Sequence, residues 1–204
     1  MVKALAGAGR HLLVSLRPQQ WTKNLLVFAA LGLSKHLFDV GPLLQTFGAF
    51  VLFCGLSGTV YLLNDVADIE RDRLHPQKKN RPVASGALSP RTAATAAVFL
   101  GLACLAASFV LGLAFALAAA IYLVLNLLYS FRLKEVVIVD VLVVSIGFVI
   151  RPVAGAIAIG VQISDWLLIC TILLALFLTL AKRRHELTSL SGAASRHRKI
   201  LAEY

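Results

Sequence analysis

The chain reads as an all-α, polytopic transmembrane helix bundle, and three features carry that reading. Its 204 residues are 59% hydrophobic and only 15% charged, against about 25% charge in an ordinary soluble domain. Mean hydropathy is +0.83. Several apolar runs approach or reach the roughly 20 residues that cross about 30 Å of hydrocarbon as a helix.

Taken in order, the elements begin with MVKALAGAGRHLLVSLRPQQWTKN, which lacks both the long apolar core and the small-residue cleavage site of a secretory signal. It reads as a basic, amphipathic lead-in lying on the membrane surface. Six candidate spans follow, over residues 24–37, 43–63, 92–113, 114–129, 136–159 and 166–181. The first and fourth are short for a crossing helix. No span repeats another closely and no segment is low-complexity, so residues 1–204 form a single transmembrane domain. Cys54, Cys104 and Cys170 lie inside apolar runs without metal-ligand or paired spacing, and read as small hydrophobes.

Orientation follows from the cations, because short loops rich in Lys and Arg stay cytoplasmic. With the N-terminus inside, segments 1–23, 64–91, 130–135 and 182–204 hold 18 of the 20 Lys and Arg residues. Lys35 falls on an outer turn and Arg151 within the fifth span. A multi-pass protein of the cell membrane with a charged cytoplasmic face is expected.

That face carries the chemistry. In NDVADIERD, Asn64, Asp65, Asp68 and Asp72 follow NDxxDxxxD at the inner end of the second span. If the helix continues, residues 64, 68 and 72 share a face with Asp65 beside them. Stacked oxygen-bearing side chains repel one another unless a cation sits among them, and hard oxygen donors suit Mg²⁺, which takes one or two carboxylates and completes its shell with water and substrate phosphates. A solvated loop with internal Asp/Arg pairs is the plainer alternative, Arg71 and Arg73 being close by. HPQKKNRPVASG then supplies His75, Lys78, Lys79 and Arg81 on a path stiffened by Pro76 and Pro82. Cations next to a metal site suit a diphosphate leaving group, whereas the positive-inside rule alone accounts for cations but not for carboxylates among them.

RPQQWTKN sets Trp21 at the interface and Lys23 at the entry to the first span; an aromatic and cationic anchor accounts for both equally well. YSFRLKEVVIVD places Tyr129, Arg132, Lys134 and Asp140 around the inner ends of the fourth and fifth spans. Asp140 lies about a turn into the membrane, where a carboxylate is paired or functional. Arg151 is costly in mid-span and must face the bundle interior. It sits eleven residues from Asp140, roughly 16 Å along one helix, so it needs another partner, for which a lipid or substrate phosphate is a candidate. KRRHEL puts Lys182, Arg183 and Arg184 at the inner end of the sixth span.

These residues resemble the UbiA superfamily of intramembrane prenyltransferases, whose first signature is met by Asn64, Asp65, Asp68 and Asp72. The set RPxQWxKN, NDxxDxxxDRxHPxKxxRPxASG, YSxxLKxxxxxD and KRRxEL looks like the superfamily's decaprenyl-phosphate phosphoribosyltransferase branch, over about residues 15–204. The resemblance implies a fold of nine transmembrane helices around a cavity open to cytoplasm and lipid. About six would be present here, as in a C-terminally truncated chain short of one cavity wall. The implied reaction is Mg²⁺-dependent transfer of 5-phosphoribosyl from 5-phosphoribosyl 1-diphosphate to a polyprenyl (decaprenyl) phosphate, releasing diphosphate, in supply of cell-wall arabinan precursors.

Carried over residue by residue, the resemblance implies Mg²⁺ on Asn64 and Asp68 with Asp72 helping through water, and a catalytic set of Asp68, Asp72 and Lys134. Lys23, Lys78, Arg81 and Lys134 become phosphate or diphosphate contacts, while Arg151 and Tyr61 border the lipid phosphate. Asp65, Tyr129, Asp140, Lys182, Arg183 and Arg184 complete the substrate-binding face. Departure of diphosphate from an anomeric carbon leaves oxocarbenium character on the sugar, so metal and cations belong on the leaving group. The lipid phosphate is already an anion and needs no general base. Members acting on aromatic acceptors carry a second aspartate motif where this chain has KRRHEL, which argues against a second Mg²⁺ and against a prenyl diphosphate donor. The partners implied are the two substrates and the membrane, with no nucleic acid and with a homo-oligomer left open. Two rivals stand beside this reading: an aromatic prenyltransferase of quinone synthesis, and a transporter or ion pathway using Asp140 and Arg151 as a relay.

Overall fold

The structure is a computed structural model that describes residues 2–136 and 138–189. The expected inner segment 182–204 therefore lies beyond the described residues from 190 onward. The chain opens with α1 (Val2–Ser15), a 3₁₀ helix (Pro18–Phe28) and α2 (Ala29–Leu33). It continues through α3 (Val40–Ala67), α4 (Ile69–Leu74), α5 (Pro90–Ser108), α6 (Leu113–Phe131), α7 (Val139–Ala158) and α8 (Asp165–Ser189). Among the described residues, five helices are long and apolar enough to cross a membrane: α3, α5 with its 3₁₀ extension to Leu111, α6, α7 and α8. They correspond to the second through sixth expected spans, and the protein is a multi-pass membrane protein.

The first expected span is built differently from the helix anticipated over residues 24–37. It begins earlier, at Pro18, and winds as a 3₁₀ helix before the single turn of α2. This segment runs antiparallel along α3, with Arg17 on Asp65, the Asn24 amide on Ser57 Oγ at 3.1 Å, and the Phe28 ring 5.6 Å from that of Phe50. Eleven steps from 17 to 28 thus keep pace with fifteen steps of α3 from 65 back to 50. That ratio is the one between a 3₁₀ rise of about 2.0 Å and an α rise of about 1.5 Å per residue. Residues 18–33 consequently extend about 30 Å at those rises, near the hydrocarbon thickness, although too few for a crossing α-helix.

Small residues let the backbones close. A Cβ on Gly155 of α7 would stand 1.9 Å from the Val27 carbonyl oxygen, so only glycine admits the 3₁₀ segment at that depth. Between α3 and α5, Gly55 faces Cys104 and Gly101 faces Thr59, beside the fully buried Ala93 and Ala97. Such interfaces suit helices in lipid, where close packing rather than water exclusion holds neighbours together. The central core gathers Val27, Phe53, Leu56, Phe115, Tyr122 and Ala154, with Phe53 edge-on to Phe115 at 6.0 Å and 5.0 Å from Tyr122. Gly112, at φ 104°, turns the end of the α5 span straight into α6. Phe99, Leu117 and Phe177 point outward, an apolar exterior that only lipid tolerates.

Two polar ties are buried within this apolar packing. Arg151 of α7, 6% exposed, donates through Nε to Asn24 Oδ1 at 2.8 Å, through Nη2 to Tyr122 Oη at 2.9 Å, and through Nη1 to the Gly147 carbonyl. Its guanidinium lies 5.0 Å from the Tyr122 ring centroid and 5.3 Å from that of Phe148. The partner that the mid-span arginine required is thus a neutral amide and a phenol, which fasten the 3₁₀ segment to α6 and α7. Asp140, fully buried in the first turn of α7, accepts from Arg183 Nε of α8 at 2.8 Å, and Arg183 Nη2 reaches Tyr129 Oη at 3.5 Å.

Gly155→Ala is expected to lower stability by about 1–3 kcal/mol through overpacking against backbone. Gly48→Ala in α3 meets nothing within 4 Å and should instead be neutral or stabilise by about 0.5–1 kcal/mol; thermal unfolding in detergent compares the two. Asp140→Asn breaks a buried ion pair and should cost about 3–5 kcal/mol, with part of the loss recovered when Arg183→Met is added. Unfolding midpoints of the single and double variants check this coupling.

Candidate active site

The charged end of the bundle is organised around the junction of α3 and α4. Asp68 leaves helical dihedrals at φ −99° and ψ 16°, yet the ladder carries through it: its N–H donates to the Asn64 carbonyl at 2.9 Å, and the Asp72 N–H donates to the Asp68 carbonyl at 2.8 Å. Residues 64, 68 and 72 therefore follow one another at helical spacing, as the continued-helix reading expects. A helix advances about 100° per residue, so each step of four drifts by about 40° and residue 72 comes around beneath residue 65. The single shelf read from the sequence is accordingly two adjoining positions, Asn64 with Asp68 and Asp65 with Asp72.

Each position is met by cations from elsewhere in the chain. Lys134 Nζ, from the turn between α6 and α7, donates to both oxygens of Asp68 at 3.0 and 3.1 Å. Arg81 Nη1 donates to Asp72 Oδ2 at 2.6 Å and to Asp65 Oδ1 at 3.2 Å, bridging the two. Arg17 also pairs with Asp65 while its guanidinium covers the Tyr61 ring at 4.8 Å. Arg17 itself adopts a left-handed conformation, φ 52°, uncommon for a residue with a Cβ and a kind of strain that gathers at sites. Asp65 and Asp72 are buried.

Arg81 is held by the loop around it rather than by chance. The two residues after it are Pro82 and the fully buried Val83, which packs with Leu88 against Leu62, Ala93 and Ala97. Arg73 Nε donates to the Ala84 carbonyl at 3.3 Å, and His75 Nδ1 accepts from the backbone of Gln77 and Lys78 at 3.2 and 3.3 Å. Lys78, although solvent-exposed, has its ammonium pulled below the ordinary lysine value, first by desolvation and then by neighbouring Arg81, with Asp72 and Asp68 drawing it back up. Such a lysine gains from an added anion.

A cavity of about 310 Å³ opens beside this junction, lined by Asp68, Arg71, Ser130, Phe131 and Lys134 with Ala67 and Glu70. A second groove of about 280 Å³ is almost wholly apolar; it runs between the 3₁₀ segment, α7 and α8, past Leu26, Phe148, Leu174 and Leu178, and Lys23 is its cation. Lys23 lies within electrostatic reach of Lys182, Arg151 and Arg17. Lys182 and Arg184 flank buried Arg183 and are themselves exposed. The anticipated residues thus fall into three sets. Asn64, Asp65, Asp68, Asp72, Tyr61, Arg81, Lys134 and Lys78 gather at the α3/α4 junction; Tyr129, Asp140 and Arg183 form a separate tie, with Lys182 and Arg184 on either side of Arg183 in α8; Arg151 lies deeper, and Lys23 lines the apolar groove.

Three participants were not assigned from the sequence. Arg17 and Asn24 are the two ends of RPQQWTKN, and the motif itself was the available signal. Tyr122 stands alone in an apolar run and offered none.

The donor set can be weighed against Mg²⁺. Among the described residues no three His, Cys, Asp or Glu side chains gather as a cage, so the protein offers two carboxylates and the Asn64 amide at helical spacing. That suits an ion that keeps water and substrate phosphate oxygens in its shell. The residues fit such a metal.

The UbiA prenyltransferase family matches residues 25–202. The chain is 37% identical over 199 residues to a decaprenyl-phosphate phosphoribosyltransferase of Mycolicibacterium smegmatis, covering 95% of this chain and 62% of that protein. It is 39% identical over 194 residues to one of Mycobacterium tuberculosis, covering 93% and 64%. It thus spans somewhat under two thirds of the length of these curated relatives. A solved structure of a UbiA homolog from Archaeoglobus fulgidus bound to GPP and Mg²⁺ matches with a TM-score of 0.74 at 22% identity, over 94% of this chain and 67% of that one, a likeness of fold. With the first aspartate signature at the charged end of a multi-pass bundle and a match over most of its length, the chain belongs to the UbiA prenyltransferase family.

Proposed function

We propose that the protein catalyses Mg²⁺-dependent transfer of 5-phosphoribosyl from 5-phosphoribosyl 1-diphosphate to a polyprenyl phosphate, with the site on the cytoplasmic side of the cell membrane. The observation that carries this reading is the composition of the charged end: two carboxylates and an amide stand at helical spacing, while α8 brings Lys182, Arg183 and Arg184 to its own end. A site so rich in cations suits substrates that both carry phosphate, and the similarity to decaprenyl-phosphate phosphoribosyltransferases supports the same pair.

In this reading Asn64, Asp68 and Asp72 hold the metal, which supplies neutralisation of charge on the departing diphosphate. Lys78, Arg81 and Lys134 bind and orient that diphosphate. The groove past Leu26, Phe148, Leu174 and Leu178 accommodates a polyprenyl chain with its phosphate toward Lys23. The lipid phosphate oxygen attacks the anomeric carbon as its bond to diphosphate breaks, and no side chain is needed to take a proton. Asp140 and Arg183 act on the site through position, by tying α7 to α8 below the Lys134 turn.

Aromatic prenyl transfer is the nearer rival, and Arg183 on Asp140 at the end of α8 counts against it. The transporter reading loses its relay, because Asp140 is taken by Arg183 and Arg151 by Asn24 and Tyr122.

Purified protein in nanodiscs, given Mg²⁺, ribose-labelled phosphoribosyl diphosphate and a polyprenyl phosphate, is expected to move label into the lipid fraction. Asp68→Ala should reduce that transfer by about 10²–10³-fold. Undiminished transfer in Asp68→Ala, or product formed only from an aromatic acid and a prenyl diphosphate, rejects the assignment. Lys78→Ala should act chiefly on KM for the sugar diphosphate rather than on kcat, since a contact to the donor is made in ground and transition states alike; steady-state kinetics with varied donor separates the two.

A further inference from the structure

Each guanidinium nitrogen of Arg151 is already engaged inside the bundle, by Asn24, the Gly147 carbonyl and Tyr122. Asn24, itself fully buried, is gripped at both ends of its amide. Its Oδ1 accepts from Arg151 Nε at 2.8 Å, while Nδ2 donates to Ser57 Oγ at 3.1 Å and to Cys54 Sγ at 3.4 Å. The amide therefore ties the 3₁₀ segment to α7 on one side and to α3 on the other, and fixes how the segment is rotated about its axis.

That rotation decides where Lys23 points. A 3₁₀ helix has three residues per turn, so side chains three apart eclipse. Asn24 and Val27 share one face and both are 0% exposed. Lys23 and Leu26 share the next, and both line the apolar groove with Phe148, Leu174 and Leu178. Leu25, on the third, is 53% exposed. Wound as an α-helix, residues three apart would fall about 60° out of register. With Val27 pressed on Gly155, the shorter α rise would also draw Lys23 about 2 Å along the axis. A shift of that size breaks a hydrogen bond.

We propose, building on the reading above in which Lys23 meets the polyprenyl phosphate, that Arg151 and Asn24 are positioning residues for Lys23. Their buried bond holds the 3₁₀ winding that keeps the ammonium in the groove beside Leu26. Arg151 thereby governs binding of the lipid phosphate without touching it.

The competing account is electrostatic. Lys23 lies within reach of the Arg151 charge, so that charge would act on a phosphate held by Lys23 directly. The two accounts part at Asn24→Ala, which leaves the charge in place and removes its hold on the segment.

The test measures equilibrium binding of farnesyl phosphate, with farnesol as the uncharged control, to the whole protein in nanodiscs. Asn24→Ala is expected to weaken farnesyl phosphate binding about tenfold, within the span of couplings between neighbouring residues, and to change farnesol binding by less than about twofold. Lys23→Ala should weaken farnesyl phosphate binding to a similar degree. The double variant Lys23→Ala/Asn24→Ala should bind no more weakly than Lys23→Ala alone, because no ammonium is left to position. A residue that only supports the fold would weaken farnesol equally and add its loss to that of Lys23→Ala. Asn24→Ala that binds as wild type does overturns the proposal, as do additive losses or an equal loss for farnesol. Lys23→Ala that binds farnesyl phosphate normally removes the phosphate from Lys23 and overturns it too.

Ser57→Ala guards against an Asn24 variant that does not fold, since it releases one end of the amide and keeps the bond to Arg151. It should show the same pattern at about threefold; no loss, or a loss that persists beside Lys23→Ala, overturns the positioning. The outcomes separate from those of the transfer assay. Coupled binding without phosphoribosyl transfer upholds the positioning and rejects the donor assignment. Transfer in which Asn24→Ala matches wild type at limiting lipid phosphate does the reverse.

Discussion

Arg81 lies between Asp65 and Asp72 and donates to both, and much of the charged end follows from the need for that bond. A carboxylate at the edge of hydrocarbon is costly unless paired. Asp65 and Asp72 are brought within reach of one guanidinium because the helical ladder runs on from α3 into α4. The guanidinium is brought to them because Val83 and Leu88 pin the following loop onto α3 and α5. Arg17 and Lys134 answer the same demand from either side, so the start of the 3₁₀ segment and the turn before α7 are fixed by electrostatics as much as by packing.

Deeper in the bundle, a different solution serves a single charge. Arg151 has no carboxylate among its described partners and is held by an amide, a phenol, a carbonyl and two aromatic rings. The arrangement does structural work. It joins α6 and α7 to the 3₁₀ segment at Asn24, next to Lys23 and seven residues after Arg17. A long 3₁₀ run is uncommon because its hydrogen-bond geometry is poorer. Here the side-chain bonds of Asn24 and the missing Cβ of Gly155 offset that disadvantage.

Part of the site was legible because chemistry-bearing residues stand out against an apolar background. Asp140 could be placed a turn inside the membrane and required to find a partner, and Arg183 is that partner. The spacing of 64, 68 and 72 could be read as helical, and the ladder through Asp68 agrees. What the spacing left out was the drift of about 40° per four residues, which couples Asp72 to Asp65 rather than to a single row. Arg151 could be assigned to the bundle interior, but not to Asn24 or Tyr122, since polar residues of neutral type carry no mark of their partner in a sequence.

The amino-acid sequence by itself determined that the chain crosses the membrane repeatedly, that its charge collects at one end of the bundle, and that residues 64, 68 and 72 follow one another at helical spacing, because hydropathy, cation asymmetry and i, i+4 spacing are properties of neighbours along the chain. Only the tertiary structure decided that residues 18–28 wind as a 3₁₀ rather than an α-helix, and which cation neutralises which carboxylate. Those outcomes depend on contacts between residues far apart in sequence, such as Gly155 with Val27, Lys134 with Asp68 and Arg17 with Asp65. Their energies are set by burial and by the fit of one backbone against another, which no local pattern encodes.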